Sequence, residues 1–229
     1  MKKYFHLSVG FLLSVLGLRA QSKDVDWANF AKYDSVNQIV KQLPQSERKV
    51  VFMGNSITEF WNVQDKDFFA QNKYINRGIS GQTTSQMLVR FRKDVIDLQP
   101  KVVIILAGTN DIAGNTGYIS LDNILGNLIS MCEIAKANHI KPILCSLLPA
   151  FDYPWSRGKE PNIKIPQLNA MIKDYADKNK IRYVDYFSAM TDGMGGLPKN
   201  LSKDGVHPNL DGNKIMEKLS APAIEQALK

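Results

Sequence analysis

The sequence predicts an α/β fold in which helices cover both faces of a parallel sheet. Short apolar runs at 50–53, 102–106 and 142–147 are typical of strands that are buried on both faces. Strand and helix patterns alternate about five times along the chain. Consecutive strand–helix–strand units produce this alternation and place parallel strands side by side.

The first half of the chain contains two of the predicted strands. Its predicted elements are a helix over 25–43, a strand over 50–53, a helix over 65–72, a strand over 74–76 and a helix over 85–97. Pro44 ends the first helix, because proline cannot continue the helical hydrogen bonding. Met87, Phe91 and Val95 repeat at helical spacing and define the apolar side of the last helix.

The second half continues the alternation. Its predicted elements are a strand over 102–106, a helix over 119–138, a strand over 142–147, a helix over 167–179, a strand over 181–186 and a helix over 210–228. The 102–106 run is the strongest strand signal in the chain, and 119–138 is a long amphipathic pattern. Long loops are predicted over 148–165, which contains three prolines and three aromatic residues, and over the glycine-rich 192–205.

The amino terminus has the layout of a secretory signal peptide. A basic start is followed by a mostly apolar, uncharged run over 7–18, and Ala20 offers a small residue for cleavage. The alternative is a short membrane anchor, but the run is shorter than the ~20 residues that a spanning helix needs. We therefore expect a signal peptide over 1–20, a single domain over 21–229, and export to a periplasm or the cell exterior.

Composition and charge are typical of a soluble globular protein and do not favour binding to nucleic acid. Hydrophobic residues make up 44% of the 229 residues and charged residues 22%, as in soluble globular proteins. Loss of Lys2, Lys3 and Arg19 with the signal peptide would lower the net charge from +7 to +4. A charge this diffuse does not favour nucleic acid as a partner. No stable membrane insertion is expected after cleavage, and the oligomeric state stays open.

The two cysteines do not predict a metal site. Cys132 lies in a predicted helix and Cys145 in a predicted strand, without the close spacing of metal ligands. Both are expected to be small buried residues, and a disulfide between them stays open at this point. No metal and no cofactor are therefore expected.

Polar and small residues follow the predicted strands. They are Gly54-Asn55-Ser56, the segment 76–84 with Gly78, Ser80 and Gly81, the segment 108–111 with Asn110, and Asp204 with His207. In a parallel sheet the carboxyl ends of the strands meet at one edge, where ligands bind. We therefore expect these segments to form one site.

A Ser–His–Asp arrangement is the chemistry that these residues favour. His6 leaves with the signal peptide and His139 suits a helix end, so His207 is the remaining candidate for a base. Asp204, three residues earlier, can fix the imidazole tautomer while the other ring nitrogen faces Ser56. The alternatives are a surface turn at 204–207 and a helix-capping role for Ser56, with Glu59 completing a capping box.

Four blocks of the sequence resemble the SGNH hydrolases, also called GDSL-type esterases and lipases. The blocks are "FMGNSITEFW", "NRGISGQTT", "IILAGTNDI" and "DGVHPN", in the family's order and within residues 50–209. The branch with platelet-activating-factor acetylhydrolase subunits and bacterial carbohydrate esterases is the most similar. The resemblance implies a flavodoxin-like, three-layer α/β/α sandwich with about five parallel strands.

The same resemblance implies a role for five residues. Ser56 would be the nucleophile, His207 the general base and then acid, and Asp204 the residue that orients His207. The backbone N–H groups of Ser56 and Gly81 and the side-chain amide of Asn110 would form the oxyanion hole. The chain departs from the family name at one point, because Gly54-Asn55-Ser56-Ile57 replaces Gly-Asp-Ser-Leu.

The substrate is expected to be a short-chain carboxylic ester, with acetyl on a carbohydrate favoured. The loop 148–165 mixes aromatic and charged side chains, which suits a sugar ring better than a long acyl chain. Asn55, Trp61, Tyr153 and Trp155 are the candidate substrate-binding residues. The alternatives are a lysophospholipase or thioesterase of the same family and, from another class, an inactive carbohydrate-binding protein.

Overall fold

The computed structural model describes residues 25–229 and has a five-stranded parallel sheet at its centre. The strands are β1 (Val50–Gly54), β2 (Tyr74–Gly78), β3 (Val102–Leu106), β4 (Lys141–Cys145) and β5 (Arg182–Val184). Their spatial order is β2-β1-β3-β4-β5, and every neighbouring pair is parallel. The predicted α/β class and the five parallel strands are confirmed.

Nine α-helices connect and cover these strands in the described part of the chain. They are α1 (Asp34–Gln42), α2 (Ser56–Gln64), α3 (Lys66–Asn72), α4 (Thr84–Asp94), α5 (Thr109–Ala113), α6 (Leu121–Ala137), α7 (Pro161–Lys178), α8 (Tyr186–Met190) and α9 (Leu210–Leu228).

The apolar side chains of the sheet point alternately into two cores. Val51 and Met53 of β1 face a core that they share with α4, α6 and α7. Val50 and Phe52 face a second core, which is built with α2, α3 and α9. Each large apolar side chain that is fully buried contributes roughly 1.5–3 kcal/mol to folding. Alternate strand residues therefore hold helices on both faces, which confirms the three-layer sandwich.

The two cysteines lie in different cores and are both free. Cys132 of α6 belongs to the first core and Cys145 of β4 to the second, so the sheet separates them. Burial raises the pKa of each thiol to about 12. The open question of a disulfide is thus answered, because the thiols are unpaired and on opposite faces.

The predicted bounds were wrong most clearly in three regions of the chain. The helix predicted over 25–43 starts only at Asp34, after a short 3-10 turn over Phe30–Tyr33. The loop predicted over 148–165 ends early, because α7 begins at Pro161, where a missing N–H removes no helical hydrogen bond. Pro166 lies inside this helix, whose buried face outweighs the loss of one hydrogen bond.

The third error concerns the strand predicted over 181–186. It ends at Val184, and the short helix α8 follows, which the sequence analysis missed. Asp185 caps α8 by accepting hydrogen bonds from the backbone N–H and the hydroxyl of Ser188 at 3.0 and 2.6 Å. An aspartate followed by a serine three residues later was the signal for this helix start.

The predicted signal peptide over 1–20 lies outside the described residues. Within residues 25–229, no helix combines the length and the apolar character needed to cross a membrane.

Strand register brings the loops that carry polar residues to one edge of the sheet. Gly54, the last residue of β1, pairs with Gly78 of β2 on one side and with Leu106 of β3 on the other. A Cβ on Gly78 would lie 2.3 Å from the backbone nitrogen of Glu59, so only glycine permits this approach of β2 to α2. The segments that follow these three strands therefore start level with one another.

Candidate active site

Ser56 occupies the first turn of α2, directly after β1. The residue before it, Asn55, caps the helix by accepting a hydrogen bond from the backbone N–H of Ile57 at 3.0 Å. Ser56 is therefore not the capping residue, and its hydroxyl is available for other contacts. Asn55 is 1% exposed, so its side chain supports the turn and does not line the cavity as the substrate-binding prediction required.

Glu59 has a different role from the one that a capping box would give it. Its carboxylate accepts hydrogen bonds from the backbone N–H and the hydroxyl of Ser80 at 2.7 and 2.6 Å, and it pairs with Lys32. Burial raises the pKa of Glu59, but these contacts with Lys32 and Ser80 outweigh it and lower the pKa overall. Glu59 thus fastens the helix of the serine to the glycine loop after β2.

The side chains of Ser56, His207 and Asp204 form a continuous chain of hydrogen bonds. Ser56 Oγ lies 2.8 Å from His207 Nε2, and His207 Nδ1 lies 2.6 Å from Asp204 Oδ2. A carboxylate at Nδ1 favours the tautomer whose Nε2 lone pair faces the serine hydroxyl. The structure therefore brings the three predicted residues together in the order that nucleophilic catalysis needs.

The Asp204 carboxylate is held by the backbone of its own turn. Its second oxygen accepts hydrogen bonds from the N–H groups of Val206 and His207 at 2.9 and 2.8 Å. Partial burial raises the pKa of Asp204, but the hydrogen bonds from the backbone and ring of His207 outweigh it and lower the pKa to about 2. The carboxylate is consequently charged at neutral pH and fixed in orientation.

Ser202 is a supporting residue that the sequence analysis missed. It is 1% exposed, and its hydroxyl donates to the His207 carbonyl at 2.7 Å and lies 3.0 Å from the Asp204 carboxylate. The hydroxyl oxygen of Ser202 also accepts a hydrogen bond from the backbone N–H of Gly205 at 3.0 Å. A serine two residues before an aspartate in a polar turn was the available signal, because both residues commonly bond to nearby backbone.

Gly81 and Asn110 lie at the same cavity as Ser56. Gly81 has a φ of +78°, a conformation that glycine adopts without steric cost. The side-chain amide of Asn110 is 3% exposed and donates one N–H to the Gln82 carbonyl at 3.0 Å. An amide carries two N–H groups, so this bond fixes the orientation of the second. The three predicted oxyanion donors therefore share one location.

The cavity has a volume of about 280 Å³, and two aromatic rings form part of its wall. Trp155 is 46% exposed, and its indole N–H donates to Asn115 Oδ1 at 3.1 Å. The Asn115 amide in turn donates to the Gly81 carbonyl at 3.0 Å. Trp155 is thus tied through Asn115 to the loop of Gly81.

Tyr153 supports Trp155 and does not line the cavity. The two rings stack with centroids 5.1 Å apart and planes at 24°, and Tyr153 is fully buried. The structure thus places Tyr153, one of the candidate substrate-binding residues, behind the cavity wall. Its position beneath Trp155 shows why both aromatic residues lie in this loop.

Trp61 was expected at the mouth of the site, but it lies in the second core. It is 1% exposed and stacks on Phe68 at 5.1 Å, with Phe52 and Phe69 edge-on at 5.5 and 5.7 Å. Its neighbour Phe60 lines the cavity instead, with its ring 5.2 Å from the His207 ring. Successive helical residues are about 100° apart, so the two rings of α2 point in different directions.

No group of three or more His, Cys, Asp or Glu side chains between residues 25 and 229 is placed to hold a metal ion. The side chains of the site offer a serine next to an imidazole, a charged carboxylate behind it, and hydrogen-bond donors beside it.

Comparison with known proteins gives several similar chains. A GDSL-like lipase from Bacteroides thetaiotaomicron VPI-5482 has a crystal structure that superposes with a TM-score of 0.85 at 50% identity, covering 88% of this chain and 100% of that one. The acetylxylan esterase of Geobacillus stearothermophilus is 26% identical over 152 residues, which is 63% of this chain and 68% of the relative.

A shorter match links the chain to the uncharacterized lipoprotein YqeF of Bacillus subtilis. It is 38% identical over 81 residues, covering 34% of this chain and 33% of that protein. The chain spans between about one third and two thirds of the length of the curated relatives it matches.

The family model of the GDSL-like lipases and acylhydrolases matches residues 52–215. This range includes the nucleophile corner, the glycine loop, the asparagine helix and the Asp204–His207 turn. The chain belongs to the GDSL-like lipase/acylhydrolase family.

Proposed function

We propose that the protein is a serine hydrolase that cleaves carboxylic esters, with Ser56 as the nucleophile. The observation that carries this proposal is the hydrogen-bonded chain Ser56–His207–Asp204, with distances of 2.8 and 2.6 Å, at a cavity that Gly81 and Asn110 also line. A serine hydroxyl is a weak nucleophile until a base takes its proton, and His207 is placed to take it.

In the acylation step, Ser56 Oγ attacks the ester carbonyl carbon while its proton passes to His207 Nε2. The carbonyl π electrons move to oxygen and form a tetrahedral oxyanion. When the intermediate collapses, the bond to the alkoxy oxygen breaks and His207 returns its proton to the leaving alcohol. The charged Asp204 stabilises the imidazolium during this sequence.

The oxyanion is stabilised by the N–H groups of Ser56, Gly81 and Asn110. Ser56 lies at the amino end of α2, where the helix dipole also favours negative charge. One oxyanion-hole donor typically contributes about 10²–10³ in rate, because it is oriented before the charge develops. Asn110 supplies such a donor without introducing a charge.

Deacylation repeats the sequence with water. His207 takes a proton from a water molecule, whose oxygen attacks the acyl carbon of the Ser56 ester. Collapse of the second tetrahedral intermediate breaks the bond to Ser56 Oγ, which regains its proton from His207. The carboxylic acid leaves and the enzyme returns to its starting state.

The substrate is proposed to be a short acyl ester on carbohydrate, with acetyl as the favoured group. Trp155 presents a half-exposed ring next to His207, with the ring centroids 6.2 Å apart, and aromatic faces of this kind can pack on sugar rings. The relationship to an acetylxylan esterase supports the same substrate class.

Comparison of three kinds of substrate tests this proposal. Acetylated xylo-oligosaccharides should be hydrolysed with a higher kcat/KM than a long-chain lysophospholipid or an acyl thioester. Trp155→Ala should raise KM for the oligosaccharide and leave turnover of p-nitrophenyl acetate close to that of the wild type. A preference for the long-chain substrate would overturn the carbohydrate assignment in favour of a lysophospholipase. Absence of any turnover would favour a carbohydrate-binding protein.

Export is proposed together with this function. Cleavage after Ala20 would release residues 21–229 as one domain into a periplasm or the medium. Amino-terminal sequencing of the protein recovered from these compartments tests the cleavage site. A mature protein that still begins at Met1 would contradict the proposal.

A further inference from the structure

We propose that Arg90 is a positioning residue whose buried side chain holds the three oxyanion-hole donors in one fixed arrangement. This inference rests on the proposed function, because it concerns how the oxyanion hole is kept in shape. Arg90 lies in α4, behind the cavity, and its side chain is 0% exposed. Arginine is rarely buried to this extent, so its contacts require an explanation.

The guanidinium of Arg90 donates to four acceptors. Nε donates to Gln82 Oε1 at 2.5 Å, and Nη1 donates to the Asp94 carboxylate at 2.8 Å. Nη2 donates to the carbonyl oxygens of Gly54 and Arg77 at 3.1 and 2.9 Å. One planar group thus joins the ends of β1 and β2 to the loop that follows β2.

Each of the three contacts other than Asp94 leads to an oxyanion donor. Gly54 lies two residues before Ser56, so its carbonyl sets the start of the nucleophile turn. Arg77 is the second-last residue of β2, the strand that leads into the Gly81 loop. Gln82 follows Gly81 directly, and its own carbonyl accepts the hydrogen bond that orients Asn110.

Asp94 compensates the charge of Arg90 and does not contact the loops of the site. Burial lowers the pKa of Arg90, and the Asp94 carboxylate opposes that shift. Asn37 donates a further hydrogen bond to Asp94 at 2.7 Å. Buried ion pairs of this kind often add little net stability, since desolvation offsets the attraction. A geometric role explains better than stability why a charged group lies here.

Lysine cannot reproduce these contacts. The guanidinium has five N–H donors in a rigid planar fork, whereas an ammonium is a compact point charge with three donors on a flexible stem. Arg90→Lys therefore keeps the charge opposite Asp94 and avoids an unpaired buried carboxylate. It should nevertheless lose the simultaneous contact with Gly54, Arg77 and Gln82.

The experiment compares Arg90→Lys with Arg48→Lys. Arg48 also bonds to two backbone carbonyls, those of Leu43 and Leu98, but at the opposite end of the sheet. Kinetics with p-nitrophenyl acetate and inhibition by a trifluoromethyl ketone, whose serine adduct carries an oxyanion, are measured on protein shown by thermal unfolding to be folded.

Arg90→Lys should lower kcat about 10- to 100-fold with little change in KM, since small misplacements of catalytic groups have effects of this size. Its affinity for the trifluoromethyl ketone should fall by the same factor as kcat/KM. Arg48→Lys should lower the unfolding temperature and leave both quantities unchanged. A folded Arg90→Lys protein with wild-type kcat and inhibitor affinity would overturn the proposal.

A double-mutant cycle tests the route of the effect. If Arg90 acts through the oxyanion hole, Arg90→Lys should cost less in kcat when Asn110→Ala is already present. Fully additive losses would overturn the proposed route. If Arg90→Lys does not fold, Gln82→Met replaces it in the cycle, because this variant removes one hydrogen-bond acceptor of Arg90. A smaller loss of kcat in the presence of Asn110→Ala would again support the proposed route, and fully additive losses would overturn it.

These outcomes are distinct from failure of the proposed function. A wild-type protein without ester turnover would contradict the esterase assignment itself. An active wild type with an equally active Arg90→Lys variant would contradict only the role of Arg90.

Discussion

The hydroxyl of Ser56 and the imidazole of His207 lie 2.8 Å apart, although 151 positions separate them in the chain. One residue opens α2 at the carboxyl end of a central strand, and the other lies in the turn before the last helix. The contact is therefore a product of the whole fold, and its chemical meaning depends on the groups that orient each partner.

Asp204→Asn should lower kcat by about 10³–10⁴-fold with a small effect on KM, by analogy with serine-protease triads. The asparagine oxygen can still accept the N–H groups of Val206 and His207. Its NH₂ group would then face His207 Nδ1 and favour the tautomer with a proton on Nε2, which cannot accept the proton of Ser56. Steady-state kinetics with p-nitrophenyl acetate measures the loss, and a variant with wild-type kcat would show that Asp204 does not orient His207.

Activity should fall on acidification because protonated His207 cannot act as the base. Asp204 does not cause this loss, since its pKa of about 2 keeps it charged across mildly acidic pH. Because folding lowers the pKa of Asp204 from its ordinary value of 3.8, the charged carboxylate stabilises the fold at pH values above 3.8. This contribution is lost as the pH falls toward 2. The measurement is kcat/KM from pH 5 to 8; a flat profile would contradict the Ser–His–Asp mechanism.

Phe60→Ala and Trp61→Ala should affect different properties although the residues are neighbours: the first should change KM and the second should lower stability. Trp61 fills the second core, so its truncation should lower the free energy of unfolding by about 3–5 kcal/mol. Phe60 is 39% exposed at the cavity, so its truncation should change KM and leave stability nearly unchanged. Chemical denaturation and ester kinetics separate the two effects. A marked loss of stability in Phe60→Ala alone would contradict these assignments.

The fold was predictable because its signals are local and repeated. The apolar runs of β1, β3 and β4 are buried on both faces, and their alternation with helices is typical of a parallel sheet that helices cover. The errors fell where local signals conflict. Proline suggested a loop over 148–165, whereas Pro161 starts α7 and Pro166 is tolerated within it.

The polar residues of the candidate site were also predictable, since the ends of parallel strands must meet. The positions of the aromatic residues were not predictable, because the sequence around a tryptophan does not show whether its ring lines a cavity or fills a core. Trp61 and Tyr153 are buried, whereas Trp155 and Phe60 reach the cavity. Arg90 was not identifiable either, because its charge alone does not distinguish a buried arginine from one on a solvated helix face. Only its four hydrogen-bond acceptors reveal its position.

Turnover of p-nitrophenyl acetate by the wild-type protein and by Ser56→Ala tests the central claim most directly. Ser56 is the only residue in the proposed mechanism that forms a covalent bond to the acyl carbon. Ser56→Ala replaces its hydroxyl with a hydrogen and so removes the attacking oxygen. We expect a loss of about 10⁴-fold or more in kcat with the unfolding temperature maintained. Equal rates in the two proteins would contradict the account.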